Sequence, residues 1–558
     1  MGHRDEGVCL GIEIGSHRLL LDCGLGDVAP LLLGEPWDAV VCSHAHADHA
    51  RGLLSLRRHR PDLPVYTSEA TAALLPLNWP GVAMEAGPVA VGVPWRTTVP
   101  IPLRRTDALS EPSTAQLSLE LWPAGHLPGA AASLLTYRTA TDTYRLLHLG
   151  DAFLSAMRLV EGLPLMALRG LEPDVLIVDG TYGTQRHPHR RRQENDLTAR
   201  LRHVLDVGVR SRLVFPVPTL GLGQELLLLL RSHYHTAGYP VTIWVDPIVA
   251  ASCDAYLAMP SALSQPVQNF AQHQDIFWDE HVFPHVKRLP DIPTLTAELA
   301  KDSPAIFLVH PTTLPSAYCQ DATAEWTVFL SETGDLNAWQ AEQQAVVPAT
   351  DEPMAYDWLD AIKNATASGT VQLETYLLTD HCDGGSTTQV IHNLKPRHVI
   401  LQHGSPSGLA DLASLETLQT RYKLHIPTPQ QTLCLPLDIQ FWRSPQPLAP
   451  PDSPLYEGEL TATPSDITVA LPKDVAADPR WQAFAETGLV TAQWQGEQLV
   501  LKGVAPSDLV GLRAQDATRP ICANCQALQQ QTCRQPASPL FNKVVALDAT
   551  CAEFHPNA

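Results

Sequence analysis

The chain has 558 residues, 45% of them apolar, and a formal charge of −21 from 38 basic and 59 acidic side chains. That length calls for two to four domains, and the acidic balance argues against non-specific polyanion binding, so a nucleic-acid partner would need a local basic surface. Eleven cysteines, an odd number, behind a start ("MGHRDEGVCLGIEIG") that lacks a hydrophobic signal core point to a reducing compartment and a cytoplasmic location, not to a disulfide framework.

The first 180 residues read as short buried strands closed by turns. "HRLLLDCG" runs into Asp22, "WDAVVCSH" into His44, "YRLLHLGD" into Asp151 and "PDVLIVDG" into Asp179. Each apolar run ends in a polar residue followed by glycine or a loop, and in layered α/β folds sites gather at such strand ends. Directly after the second run, "SHAHADHARG" (43–52) packs His44, His46, Asp48 and His49 into six positions. Ala45 and Ala47 leave room for the four to converge. A solvated His-rich loop is the bland alternative, but imidazoles and carboxylates at this spacing suit Zn²⁺.

From about 190 to 370 a second α/β pattern runs. "RLVFPVP" predicts a strand, "GQELLLLLRSHYHTAG" a helix ended by Gly238, and "PVTIWVD" and "AIFLVHP" further strands. The leucine run Leu226–Leu230 is closed by Arg231, and no uncharged apolar run approaches the roughly 18 residues of a membrane helix, so no membrane association is expected. "VQLETYLLTDHCD" and "RHVILQHG" then resume the earlier style, with strands ending in histidine. The simplest topology has a first domain in two pieces, 1–190 and 371–440, interrupted by an inserted domain at 191–370. A proline-rich linker (441–455), a small module of no nameable pattern (456–515) and a cysteine tail (516–558) follow, and no internal repeat is visible.

The turn at 44–49 resembles the HxHxDH signature of the metallo-β-lactamase superfamily, and its remaining elements follow in order: Asp22 in "LLLDCG", His126 in "AGHLPGA", Asp151 in "LHLGD" and His403 in "ILQHG". The resemblance implies an αββα sandwich carrying two metal ions, Zn²⁺ or alternatively Mn²⁺. It assigns His44, His46 and His126 to the first ion, and Asp48, His49 and His403 to the second. Asp151 would bridge them, and Asp22 would orient one imidazole from behind. A hydroxide shared by the ions would be the nucleophile, with Asp48 counted among the catalytic residues.

Three further stretches are similar to motifs of the β-CASP nucleases: "VDGTYGTQRHP" with Asp179 as the acid, "LVFPVPTLGLGQELL" as the strand–loop–helix segment, and "LLTDHCD" with His381. This resemblance covers about residues 10–435. It implies an inserted β-CASP α/β domain and cleavage of RNA, with single-stranded DNA as the second candidate, by a ribonuclease of the RNase J or cleavage-and-polyadenylation type. Four positions depart from the pattern: Leu222 replaces an arginine, Gly180 a serine, "HPTTLPSAYCQD" (310–321) a Gly-Met-rich loop, and Cys382 an alanine. They question substrate and rate more than metal binding. Two rival readings stay open, a small-molecule ester, thioester or phosphodiester hydrolase and a non-catalytic nuclease-like scaffold subunit; a homo-oligomer is compatible with all of them.

Asp179 could equally cap a turn, and His381 could be an ordinary structural histidine; their place in the motif order favours function. Arg190–Arg192 read as a solvated helix start or as phosphate contacts, and Tyr182 as core or cleft lining. The other histidines, at 187, 189, 233, 235, 310, 392 and 398, read as surface or structural. In the tail, Cys522, Cys525, Cys533 and Cys551 fit a closed structural Zn²⁺ site, with an iron–sulfur cluster or free thiols as alternatives.

Overall fold

The computed structural model describes residues 7–80, 88–104 and 115–437, apart from 209, 234, 237, 280, 282, 300–302, 312–324 and 333–370, and beyond 437 only short strands. The chain divides into one unit up to Trp442 and a second from Arg443.

In the first unit, strand Leu10–Ile14 pairs antiparallel with His17–Leu21, which continues in parallel through Ala39–Val41 and Val65–Ser68 to Val91–Val93. A second sheet runs in the order Lys423–His425, His398–Gln402, Val175–Asp179, Thr143–His148, Ala131–Arg138, Gln116–Pro123, Val99–Ile101. The two sheets face one another across a shared core in which Leu19, Leu21, Ala39 and Val41 meet Leu119, Leu135, Leu146 and Ile177. Alternate residues of the same strands point outward. Leu20 and Val40 pack with Leu53 and Leu56 of the Leu53–His59 helix. Leu147, Leu176 and Leu401 pack with Val390, Leu394 and Leu409 of the Gly384–Leu394 and Pro406–Ala413 helices. Strands apolar on both faces are what a sheet covered on both sides requires, and each buried leucine contributes about 1.5–3 kcal/mol. The result is a helix–sheet–sheet–helix sandwich.

The third sheet is all parallel, ordered Val286–Arg288, Thr242–Val245, Ala305–Val309, Ser211–Pro216, Glu325–Ser331, Val371–Tyr376. Its last strand lies beyond the expected limit of the inserted segment: Val371–Tyr376 pairs in register with Glu325–Ser331, so the crossover back to the sandwich begins at 377. "VQLETY" carries only two buried residues in six, which is the pattern of an edge strand and gives no sign of which sheet it joins. The Leu222–Ser232 helix buries all five of Leu226–Leu230. It stops six residues short of Gly238 because His233 turns extended at its C-terminus, where its ring is captured by Asn195 at 2.8 Å and Thr198 at 3.0 Å.

In the second unit, antiparallel pairs join Glu459–Ala462 to Ile467–Ala470, Val490–Gln495 to Gln498–Gly503, and Leu528–Gln529 to Thr532–Cys533. Cys533 is buried and in no disulfide, whereas the linker and Cys522, Cys525 and Cys551 lie outside the described residues. Among the described residues, no helix is long and apolar enough to cross a membrane.

Candidate metal centre

The site forms where strands of both sandwich sheets end. Asp22 follows His17–Leu21 in a left-handed conformation, φ 59°, which aspartate tolerates better than most residues. Its carboxylate accepts the Ser43 N–H at 2.6 Å and the Ser43 hydroxyl at 3.0 Å, and it holds His49 Nδ1 at 2.9 Å. Ser43 Oγ lies 3.0 Å from His44 Nδ1. One carboxylate and one hydroxyl thereby fix the outward nitrogens of two histidines and turn their Nε2 atoms inward.

Two groups of inward atoms result. His46 Nδ1 lies 3.1 Å from His44 Nε2 and 3.0 Å from His126 Nε2, with Asp151 Oδ2 at 3.5 Å from His44 Nε2. In the second group, Asp48 Oδ2 is 3.1 Å from His403 Nε2 and 3.7 Å from His49 Nε2. The same Asp151 Oδ2 lies 3.2 Å from His49 Nε2, so it faces both groups. Within each group the candidate ligand atoms lie within 4.8 Å of one another.

The donor set fits divalent ions. His49 Nε2 and Asp151 Oδ1 are buried and make no hydrogen bond, an arrangement that costs about 1–3 kcal/mol per group unless something else satisfies them. Burial and the neighbouring histidines hold His44 well below the usual imidazole range and push His126 down to about 4, which keeps them neutral as ligation demands. In the second group burial is outweighed by carboxylates: Asp151 and Asp48 raise His49, and Asp151, Asp179 and Asp48 push His403 up to about 10. Asp48 and Asp151, despite burial, are held below the ordinary carboxylate range by the histidines around them. That concentration of buried negative charge is what a cation neutralises.

His381 stands beside the first group, its ring centroid 4.6 Å from that of His126. Its Nδ1 is 2.7 Å from Asp179 Oδ2 and 4.0 Å from Asp151 Oδ2. Burial lowers its affinity for a proton, but Asp179, Asp151 and Asp380 together raise it above the ordinary imidazole value. Asp179 also caps the turn that follows it, accepting the Thr181 N–H at 2.8 Å. Tyr182 is buried, 6.1 Å from the His381 ring and 4.5 Å from His187.

Several partners were not singled out from the sequence. Thr181 Oγ1 bonds Asp179 and lies 3.0 Å from His403 Nδ1, supplying the hydroxyl that Gly180 lacks; a β-carbon at Gly180 would lie 2.5 Å from Leu409 Cδ2. Asp380 brings a carboxylate oxygen to 3.8 Å from His381 Nε2, and its carbonyl accepts from His126 Nδ1 at 3.0 Å. A hydroxyl two residues after Asp179 and an acid next to His381 were the available signals. Arg190 is not solvated as a helix start would be; it is buried with Glu225 at 3.4 Å, giving that carboxylate a cation that Leu222 cannot. Arg186, Arg191 and Arg192 are exposed. Cys382 is buried, and its N–H is donated to the Ala152 carbonyl. Of the departing loop 310–321 only His310 and Pro311 are described.

A model of the beta-lactamase superfamily domain matches residues 17–214. An uncharacterized protein of Synechocystis sp. is 40% identical over 99% of this chain and 95% of its own length. A probable RNase of Methanocaldococcus jannaschii is 31% identical over 40% of this chain and 54% of its own length. An endoribonuclease of Mycosarcoma maydis is 25% identical over 57% of this chain and 34% of its own length. The chain thus spans about half and about a third of the two nucleases it matches.

Proposed function

The chain belongs to the β-CASP branch of the metallo-β-lactamase superfamily, and on that premise we propose that it is a two-metal phosphodiester hydrolase that cuts RNA, its site lying between the sandwich and an inserted β-CASP domain. The observation that carries this reading is Asp151 facing both ligand groups while His381, tied to Asp179, stands beside them. Divalent ions held there would supply Lewis acidity, of the kind that makes water a nucleophile at neutral pH and offsets charge on phosphoryl oxygens.

The remaining steps fall to the chain's own residues. His44, His46 and His126 would hold one ion, Asp48, His49 and His403 the other, and Asp151 both. Asp22 orients His49 from behind. A departing ribose oxygen leaves poorly unless protonated, and a positioned imidazole typically contributes about 10²- to 10⁴-fold by giving that proton. His381 holds it: Nδ1 is committed to Asp179, which leaves Nε2 on the side of Asp380 to give its proton to the leaving group. Asp179 sustains the charge. Because Arg190 is buried against Glu225, phosphate contacts would fall to the exposed Arg186, Arg191 and Arg192, basic residues close in sequence in a chain of charge −21.

The test incubates labelled RNA, single-stranded DNA and bis-p-nitrophenyl phosphate with the wild-type chain and with a His44→Ala/His46→Ala double variant. RNA cut by the wild type alone supports the reading. Turnover of the small phosphodiester without any RNA cleavage would move the assignment to a small-molecule hydrolase. No turnover of any substrate by metal-loaded protein would favour a scaffold.

A further inference from the structure

We infer that the first metal position is completed from outside the sandwich, by the two loops at the carboxyl ends of inserted-sheet strands, with Gln193 and Arg190 as the positioning residues that hold one of those loops; this rests on the metal-site reading above.

Each imidazole of the first group has an inward nitrogen that faces the ion and an outward one that needs an acceptor. The outward Nδ1 of His44 stays within the sandwich, at Ser43 Oγ. The other two do not. His46 Nε2 lies 3.4 Å from the carbonyl of Leu220, in the loop after Ser211–Pro216. His126 Nδ1 donates at 3.0 Å to the carbonyl of Asp380, in the segment after Val371–Tyr376. A carbonyl can only accept, so each contact fixes the tautomer: the outward nitrogen keeps its hydrogen and the inward one presents a lone pair. Carboxyl ends of parallel strands are where such sheets place ligands. The Leu220 carbonyl comes this close because Gly221 follows it at φ +89°; a β-carbon there would lie 2.7 Å from Leu127 Cδ2.

The Asp380 carbonyl is held through its neighbour. Thr379 donates its N–H to Gln193 Oε1 at 2.8 Å, and its hydroxyl lies 3.0 Å from Gln193 Nε2. Its carbonyl accepts from Arg190 Nη1. Gln193, Arg190 and Thr379 are all buried, and the first two sit one turn apart at the start of the Arg190–Val207 helix. Arg190 reaches on to Glu225, whose carboxylate accepts the N–H groups of Leu159 at 2.7 Å and Arg158 at 3.1 Å, in the stretch that follows Asp151. One buried network therefore fixes the loop behind His126 and His381 together with the loop behind the bridging Asp151. Buried networks of this kind hold a unique geometry only when every member is present.

The test uses the full chain and metal binding, with no RNA in the assay. Zn²⁺ is titrated against a chelator, and Co²⁺ absorbance reports ligand geometry. His126→Ala identifies the binding step that belongs to the first group. In Gln193→Leu that step weakens about tenfold, within the range usual for partners behind a metal ligand, and the Co²⁺ bands shift while the other step stays. Gln193→Glu, which can still accept the Thr379 N–H and hydroxyl but no longer donates to the Pro188 carbonyl at 2.6 Å, restores both readouts only in part. Should Gln193→Leu not fold, Gln193→Ala, with room for a water in the same place, carries the same expectation. Unchanged steps and bands in a folded variant would overturn the inference, as would equal weakening of both steps. A chain that binds metal as stated but leaves RNA intact would sink the substrate reading and not this one.

Discussion

At the scale of single residues, the sharpest expectation concerns His381. His381→Ala leaves bound metal near the wild-type level and cuts kcat on RNA by about 10²- to 10⁴-fold, but hurts far less on a p-nitrophenyl phosphodiester, whose leaving group departs without a proton. Equal losses on both substrates would remove His381 from the proton-donor role. The sign of its pH dependence follows from its surroundings: burial lowers the affinity of His381 for a proton, but Asp179, Asp151 and Asp380 outweigh it and raise that affinity above the ordinary imidazole value, so the donor is loaded below the raised value and its contribution is lost as pH rises through it. In Asp179→Asn the fall moves to lower pH; a pH–rate profile with an unmoved alkaline limb would contradict this. Behind the candidate ligands, Asp22→Asn keeps the shape but weakens the acceptor for Ser43 and His49. Metal affinity should drop by about 10- to 100-fold in a chelator competition, and an unchanged value would make Asp22 merely structural. These residues were legible because their motifs are contiguous and end strands. Thr181, Asp380 and Ser43 were not, because what they do depends on partners up to 254 positions away, as in the contact of His126 with Asp380.

At the scale of elements, apolar runs gave the right strands and their polar ends, since a strand covered on both faces must be apolar throughout. Boundaries were less visible. The Leu222–Ser232 helix ends where Asn195 and Thr198 capture His233, a tertiary event that no local pattern encodes. The start of the Arg190–Val207 helix read as solvated because three arginines stand in a row, yet Arg190 faces inward while Arg191 and Arg192 face out. The leucine run of the Leu222–Ser232 helix should dominate the stability of its surroundings. Leu227→Ala removes a fully buried side chain and should cost about 2–5 kcal/mol, read as a lower urea midpoint. A loss well under 1 kcal/mol would mean that the site collapses around the cavity.

At the scale of the molecule, candidate ligands separated by more than 350 positions, Asp48 and His403, meet at 3.1 Å because the chain returns to the sandwich after leaving for the inserted sheet. That return was legible from the resumed strand-to-histidine style at "RHVILQHG"; the exact strand at which it begins was not, since Val371–Tyr376 could have joined either sheet. The tail is a separate expectation. Cys522→Ser/Cys525→Ser should lower bound metal by about one equivalent and leave hydrolysis intact, with a brown colour in the wild type deciding for iron–sulfur over zinc; unchanged metal content would reject a tail site. That same variant gives the cleanest background for the central claim, that two ions in one site make this chain a ribonuclease. Stripped of metal and titrated with Zn²⁺ or Mn²⁺ while labelled RNA is followed on a gel, it should cut nothing at first and gain activity as occupancy approaches two ions per chain. Cleavage that survives stripping, or full occupancy with RNA left intact, would contradict it.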